Sequence, residues 1–368
     1  MKISCKNSTL VESLSNVQRA VSAKSNMPVL EGILITTNEN TIQLCGYNME
    51  LGIKTTVEAK IEEPGAIIVN ARLLTDITRK LPQDTVVMEV DKNLTVKITS
   101  GESEFSLIGV EPSEFPELPK VDNPNTIKIQ ASVLKSMIKQ TIFAVAETDS
   151  KPIHTGTLFD IRDKKIKLVS VDGYRLAVRS EQIKEDFELR FVVPGKTLNE
   201  ILKLLPDDEE KTVEILVGMR HITFIIEKYC VISRLLEGEF LDYQSTIPEL
   251  SSTKIISGTR DLIDSVERVS LMITDRLKSP VRCVMSDNRL RLSCNTSIGK
   301  AVDEINVLGI GDSIEIGFNN KYMIDALKNT NTDEVEIQMN GPLSPIKIVP
   351  KDGDCFLFLV LPVRLKSE

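Results

Sequence analysis

An internal repeat of about 124 residues constrains this 368-residue chain more tightly than its composition does. Apolar residues at helical spacing fill residues 70–82 (NARLLTDITRKLP), 194–206 (PGKTLNEILKLLP) and 318–330 (FNNKYMIDALKNT), each 124 positions after the last. A β-like run precedes each (AIIV, RFVV, SIEIG) and another follows (DTVVMEV, KTVEILV, DEVEIQM), so the unit reads strand, helix, strand. Earlier in each unit, residues 41–55, 165–179 and 289–303 alternate as hairpins do, with Leu44, Leu168 and Leu292 in register. Residues 27–35 and 151–159 keep the same offset. Residues 279–286 align only with a shift of about four, which implies a longer loop in the third unit.

A second amphipathic stretch opens each unit, at residues 9–24, 131–146 and 259–272. Two helices and several strands per unit predict an α+β fold of three repeated domains, each with its helices packed on one side of antiparallel sheet. Proline-bearing joints at 115–125 (FPELPKVDNPN) and 245–253 (STIPELSST) divide the chain into domains at residues 1–120, 121–249 and 250–368.

Rare residues remove several chemistries. Cysteines at 5, 45, 230, 283, 294 and 355 form no CxxC pair and no zinc spacing, and read as buried reduced thiols. His154 and His221 are the only imidazoles, and neither sits in HExxH or beside a nucleophile, which disfavours histidine-based catalysis. Gly309 and Gly311 in LGIGDS lack the rest of a phosphate loop and read as a turn. The acidic run 207–210 follows a leucine-rich helix and reads as a solvated loop. No cofactor, metal or catalytic residue is expected. The longest apolar run, residues 356–361, is far below the ~20 residues of a spanning helix and reads as a buried strand. Residues 1–10 lack a signal-peptide pattern, so no membrane is expected and the expected location is the cytoplasm.

Charge is distributed unevenly. Lys and Arg number 45 against 53 Asp and Glu, a net −8, which excludes a uniformly basic coat. The six predicted helices nevertheless carry +6, leaving −14 elsewhere. A helical face of that sign can meet phosphates while the remaining surface repels them. With no Trp and 4% aromatic residues, little is available for stacking bases, so such a face would hold nucleic acid loosely. Charge alone also fits ordinary amphipathic helices with cationic wet faces.

The motifs VDGYRLAVRS (171–180), SRLLEGEFLDYQSTIP (233–248), EIGFNNKYMIDAL (315–327) and LPVRL (361–365) join the three repeats in one pattern. With them the chain resembles, over its full length, the bacterial DNA polymerase III β subunits, which are replicative sliding clamps. The resemblance implies a DNA clamp fold in a ring-shaped, head-to-tail homodimer, with helices lining the hole and sheets outside. It implies a non-catalytic subunit of a nucleotidyltransferase complex that encircles double-stranded DNA without sequence preference. Its implied partners, reached through linear motifs, are the DNA polymerase III catalytic subunit, the clamp loader, other polymerases and repair proteins.

By charge and helix position, the candidates to face DNA are Lys24, Arg72, Arg79, Lys80, Lys135, Lys139, Lys196, Lys203, Lys321 and Lys328. Carried over by motif, the peptide pocket comprises Gly173, Tyr174, Arg175, Leu176, Asn319, Tyr322, Val360, Leu361, Pro362, Val363 and Arg364. His154 and Leu241 belong to the same wall but depart from the family's usual aliphatic residue and proline. Ser245 and Thr246 likewise replace an arginine and an aliphatic. Lys366, Ser367 and Glu368 extend past the family's usual end. Phe105 and Leu107 match one side of the implied subunit contact, and Leu271 and Met272 the other. At this level two other classes stay open. One is a metal-dependent nuclease or transferase built on carboxylates such as Asp207 and Asp208 or those of KDGD (351–354). The other is a repeat-built interaction protein without DNA.

Overall fold

The computed structural model describes residues 1–148, 151–274 and 279–365. Among them lie six α-helices: α1 (Asn7–Val17), α2 (Ala71–Thr78), α3 (Ala131–Ile142), α4 (Gly195–Leu204), α5 (Thr259–Ser270) and α6 (Asn320–Lys328). Local chemistry starts several of them. The Asn70 carboxamide caps α2 by accepting from the Leu73 amide at 3.0 Å, and Asn319 caps α6 through the amides of Lys321 and Tyr322.

The chain folds as two compact units, Met1–Val133 with Asn199–Leu235, and Leu134–Leu198 with the chain from Leu236 onward. The central repeat contributes to both. Its strands Asn125–Gln130, Thr212–Val217, His221–Ile226 and Tyr229–Arg234 enter the twelve-stranded sheet of the first unit. Its strands Gly156–Arg162, Lys165–Val171, Arg175–Gln182 and Leu189–Pro194 enter the nine-stranded sheet of the second, which also holds a separate four-stranded sheet. In the first unit α1 packs on α2 and on strand Leu51–Glu63; in the second α5 packs on α6 and on strand Gly299–Asn306.

The repeat survives as register. Leu44 opposes Thr55, Leu168 opposes Arg179 and Leu292 opposes Asp303, all in antiparallel hairpins, and the three leucines are buried. Each such burial contributes about 1.5–3 kcal/mol, which resists a one-residue slip that would turn these leucines outward. Ile35, Phe159 and Cys283 oppose those leucines in turn, so the strand Val281–Ser286 keeps the 124-residue offset. The expected shift there, and the longer loop, are therefore corrected. The connection from α5 to this strand, residues 271–280, is shorter than residues 18–31 or 143–155. The extra length lies instead before strand Thr253–Gly258.

Further expectations change. α1 stops at Val17 and passes into the 3-10 turn Gln18–Ala20, which leaves Lys24 in an exposed loop. α2 stops at Thr78, ahead of Pro82, so Arg79 caps it and Lys80 follows in a turn. α5 stops at Ser270, with Leu271 and Met272 in the turn beyond it. Apolar spacing does not separate the last turn of a helix from apolar residues just after it. Gly309 and Gly311 belong to strand Leu308–Gly311 rather than a turn. Gly311 has φ +105°, and a Cβ there would lie 2.0 Å from the Ser252 carbonyl oxygen, so only glycine lets this strand approach. Cys5, Cys45, Cys283 and Cys294 are buried, whereas Cys230 and Cys355 are half-buried. Residues 356–360 form the buried strand expected. The extension Lys366, Ser367 and Glu368 lies outside the described residues.

Candidate functional site

The tip of the central hairpin, in the second unit, gathers most of the motif-derived residues. Asp172 Oδ1 accepts from the amides of Tyr174 and Arg175 at 2.9 and 3.0 Å, which closes the turn. Gly173 occupies it at φ +89° with no atom within 4 Å of where a Cβ would stand, so backbone conformation alone selects glycine. Arg175, 8% exposed, donates from Nε to Asp172 Oδ2 at 2.9 Å and from Nη1 to Asp325 Oδ2 of α6 at 2.5 Å. Its guanidinium lies over the rings of Tyr322 and Phe143, 4.7 and 5.5 Å from their centroids. Tyr322, held by the Asn319 cap, stacks on Tyr174 with centroids 5.8 Å apart, and burial pushes its phenol above the usual range.

The chain's last strand completes this face. Leu176 opposes Leu359 and Arg175 opposes Val360, and the Leu361 amide donates to the Tyr174 carbonyl at 2.9 Å. Pro362 then bridges Phe318, and the Val363 amide donates to the Gly317 carbonyl at 2.8 Å. Tyr174, Leu241, Leu361 and Val363 remain exposed, as does Arg364. A groove of about 770 Å³ flanks the tail, lined by Val363, Arg364 and Leu365 with Ile314, Gly317 and Leu343.

The repeat supplies an internal control. In the first unit the Arg234 amide donates to the Glu50 carbonyl at 2.9 Å, the counterpart of the bond from Leu361 to Tyr174. Equivalent backbone therefore carries Glu50 and Arg234 in one place and Tyr174 and Leu361 in the other. The fold does not demand the exposed pair Tyr174 and Leu361.

His154 stands in the 3-10 turn Pro152–Thr155, edge-on to Phe240 with centroids 5.4 Å apart. Burial, and then the charge of Lys151, hold its imidazole below the ordinary histidine range. Ser245 and Thr246 bond back to the carbonyls of Asp242 and Tyr243 within their own turn.

The basic candidates fall into two groups. Lys24, Lys80, Lys139, Lys196 and Lys321 are exposed, and Lys135 is half-buried on α3. Others face a carboxylate: Arg72 and Arg79 flank Asp76 at 3.8 and 4.0 Å, Lys203 meets Glu200 at 2.8 Å, and Lys328 meets Glu267 at 2.7 Å. Arg79 also donates to Ser15 of α1 at 2.9 Å. The helices thus present a thinned positive charge.

Phe105 and Leu107 lie on strand Ser103–Ile108, at one end of the twelve-stranded sheet. Strand Gly299–Asn306 ends the four-stranded sheet, and Met272 Sδ lies 3.7 Å from a Cβ position on its Gly299. Leu271 beside it is 77% exposed. Among the described residues both strands end their sheets and carry exposed apolar residues.

Sequence reasoning missed Asp172, Phe143 and Asp325 around Arg175, and Asp76, Glu200 and Glu267 among the cations. Asp172 had a local signal, as the residue before the glycine of a tight turn, and so did Asp76 and Glu200, three or four helical positions from their cations; Phe143, Asp325 and Glu267 had none.

Residues 1–119, 128–242 and 244–364 match, in turn, the N-terminal, central and C-terminal domain profiles of the DNA polymerase III beta subunit. The beta sliding clamp of Bacillus subtilis is 33% identical over 377 residues, covering 99% of this chain and 100% of that protein. The beta sliding clamp of Staphylococcus epidermidis is 32% identical over 375 residues, covering 99% of each. The solved DNA polymerase sliding clamp of B. subtilis superposes with a TM-score of 0.96 at 31% identity, covering both chains completely. A sliding clamp of Pseudomonas aeruginosa bound to griselimycin superposes with a TM-score of 0.95 at 26% identity, over 99% of this chain and 100% of that one.

Proposed function

The chain belongs to the DNA polymerase III beta subunit family, the sliding clamps, and on that premise we propose that two copies close head to tail into a ring around duplex DNA. The family is a non-catalytic processivity factor of DNA polymerase III, so the chain acts by tethering rather than by reaction. The metal-dependent enzyme reading is set aside with it.

One observation carries the ring. Ile53 of the first repeat opposes Val231 at the end of the second, and Ala177 of the second opposes Phe358 at the end of the third. Ile53 and Ala177 are 124 residues apart, and Val231 and Phe358 hold matching hairpin positions opposite Phe224 and Ile348. The first and second repeats thus each pair with the last strand of the next in one register. The third repeat offers Ala301, and the matching position in the first repeat is Phe105, opposite Ile98. Both strands are edges, so a second copy satisfies the pattern by placing its Phe105 against Ala301, and two copies close it. Leu107, Leu271 and Met272 flank that seam.

The helices carry the DNA-facing candidates Arg72, Lys135, Lys139, Lys196, Lys203, Lys321 and Lys328, with Arg79, Lys80 and Lys24 on the turns that follow. Their partial pairing with carboxylates suits loose, sequence-independent contact in which topology supplies retention. The apolar face of Tyr174, Leu241, Leu361 and Val363, with His154, Leu176, Val360, Pro362 and Arg364 around it and Arg175, Asn319 and Tyr322 beneath, receives extended peptides from polymerase, clamp loader and repair factors. Griselimycin, bound by the Pseudomonas relative, is assigned to the same face here. The three domains are read as residues 1–120, 121–249 and 250–368; the family profiles change over at 119–128 and at 242–244. No helix among the described residues is long and apolar enough to cross a membrane, and a replication clamp works in the cytoplasm.

The test is retention after loading. The protein should remain on nicked circular duplex and leave the same DNA once it is linearised, because only encirclement depends on ends. Equal loss from both forms overturns the reading.

A further inference from the structure

The groove just proposed is the premise here. Two clusters, one in each unit, correspond at 124-residue spacing: Val29, Leu34, Cys45, Tyr47 and Ile68 match Ile153, Leu158, Val169, Val171 and Val192. Each is covered by a joint beginning with a buried phenylalanine, Phe115-Pro116-Glu117-Leu118 in the first and Phe240-Leu241-Asp242-Tyr243 in the second.

The joints then diverge. Leu118 folds onto the first hairpin, its Cδ2 lying 2.9 Å from where a Cβ of Gly52 would stand. The counterpart of Gly52 is Leu176, which occupies that space itself. Tyr243 runs along the sheet instead, and its hydroxyl donates to Asp160 Oδ2 at 2.9 Å. Asp160 is 5% exposed on strand Gly156–Arg162, between its cross-strand neighbours Lys167 and Arg190. Its Oδ1 has no hydrogen bond among the described residues and meets Arg190 Nε only at 3.8 Å. Thr36, the counterpart of Asp160, is half-buried and carries no such load.

A carboxylate so covered and half-satisfied is a poor source of stability, since an apolar residue would cost less there. Burial chiefly, and Asp160 in addition, push the Tyr243 phenol up to about 12, so it remains a donor at neutral pH.

We propose that Asp160 and Tyr243 are positioning residues for the peptide groove: their hydrogen bond draws the joint along the sheet and fixes the wall residue Leu241 in its exposed place. Without it the joint loses this tether to the sheet, and Leu241 its fixed place.

The test is calorimetric titration of the full-length protein with griselimycin. Tyr243→Phe and Asp160→Ala should each weaken binding about tenfold, and combining them should add little. Asp160→Asn, which keeps an acceptor for the hydroxyl, should bind as the unmodified chain does. Wild-type affinity in Tyr243→Phe overturns the proposal, as does Asp160→Asn binding as weakly as Asp160→Ala. If the unmodified chain does not bind griselimycin, or Leu361→Asp binds it equally well, the groove assignment itself falls and the inference with it.

Discussion

Arg175 Nη1 donates to Asp325 Oδ2 across 2.5 Å, joining the hairpin tip of the central repeat to helix α6 of the last. Because Asp325 is about one-third exposed, solvent screens part of this bond, and Asp325→Ala should cost about 1–2 kcal/mol. Arg175→Ala should cost more, since it leaves Asp172 without its Nε partner and uncovers the rings of Phe143 and Tyr322. Urea unfolding of the two variants checks the order; equal midpoints would remove Arg175 from its central position.

The ring register is open to a direct chemical check. Cysteines placed at Ala301 and Phe105 in one chain should crosslink between copies under mild oxidation, giving a covalent dimer on denaturing gels. Moving the second cysteine to Leu107 should reduce the yield severalfold. The reverse preference would show that the third seam does not follow the other two.

Charge at the same edge should open the assembly. Leu271→Asp with Met272→Asp introduces two carboxylates where an apolar contact is proposed, and light scattering should report a folded species of 41.0 kDa. A dimer of unchanged mass would place the contact elsewhere.

Thinned charge on the helices predicts a gain of grip. Asp76→Asn removes the carboxylate between Arg72 and Arg79, so affinity for duplex DNA should rise and the salt dependence steepen by about one phosphate contact. Affinity measured across a salt series tests this; an unaltered slope would mean that these arginines do not face phosphate.

Both histidines titrate below the ordinary range, each chiefly through burial, with Lys151 adding to the effect at His154 and Arg234 and Arg220 at His221. In the unfolded chain they take up protons first as pH falls through about 6.5, which favours unfolding. Stability should therefore be fully present above that pH and decline below it, until the folded histidines also protonate. Denaturant midpoints from pH 7.5 to 5.5 should fall, and less steeply in the double variant His154→Gln, His221→Gln.

Much of the fold is readable locally. Leu44, Leu168 and Leu292 announce three equivalent hairpins because alternation within a strand is a short-range property, and Phe356 to Val360 announces a buried strand for the same reason. Helix ends were less legible: Lys24, Lys80, Leu271 and Met272 continue an apolar or basic pattern without continuing the helix. The motif residues of the groove were legible by resemblance, while their supports were not. Asp325 and Phe143 lie 150 and 32 positions from Arg175, and no local spacing connects them.

The sequence by itself determined the repeat, its secondary-structure order and the uneven sign of charge, since each depends on neighbours within a turn or a strand. Tertiary structure decided which strands were left as edges, that Lys328 meets Glu267, and that Asp325 and Phe143 support the hairpin tip at Arg175. Those outcomes depend on contacts between residues far apart along the chain, where burial and pairing, rather than local propensity, set the free energy.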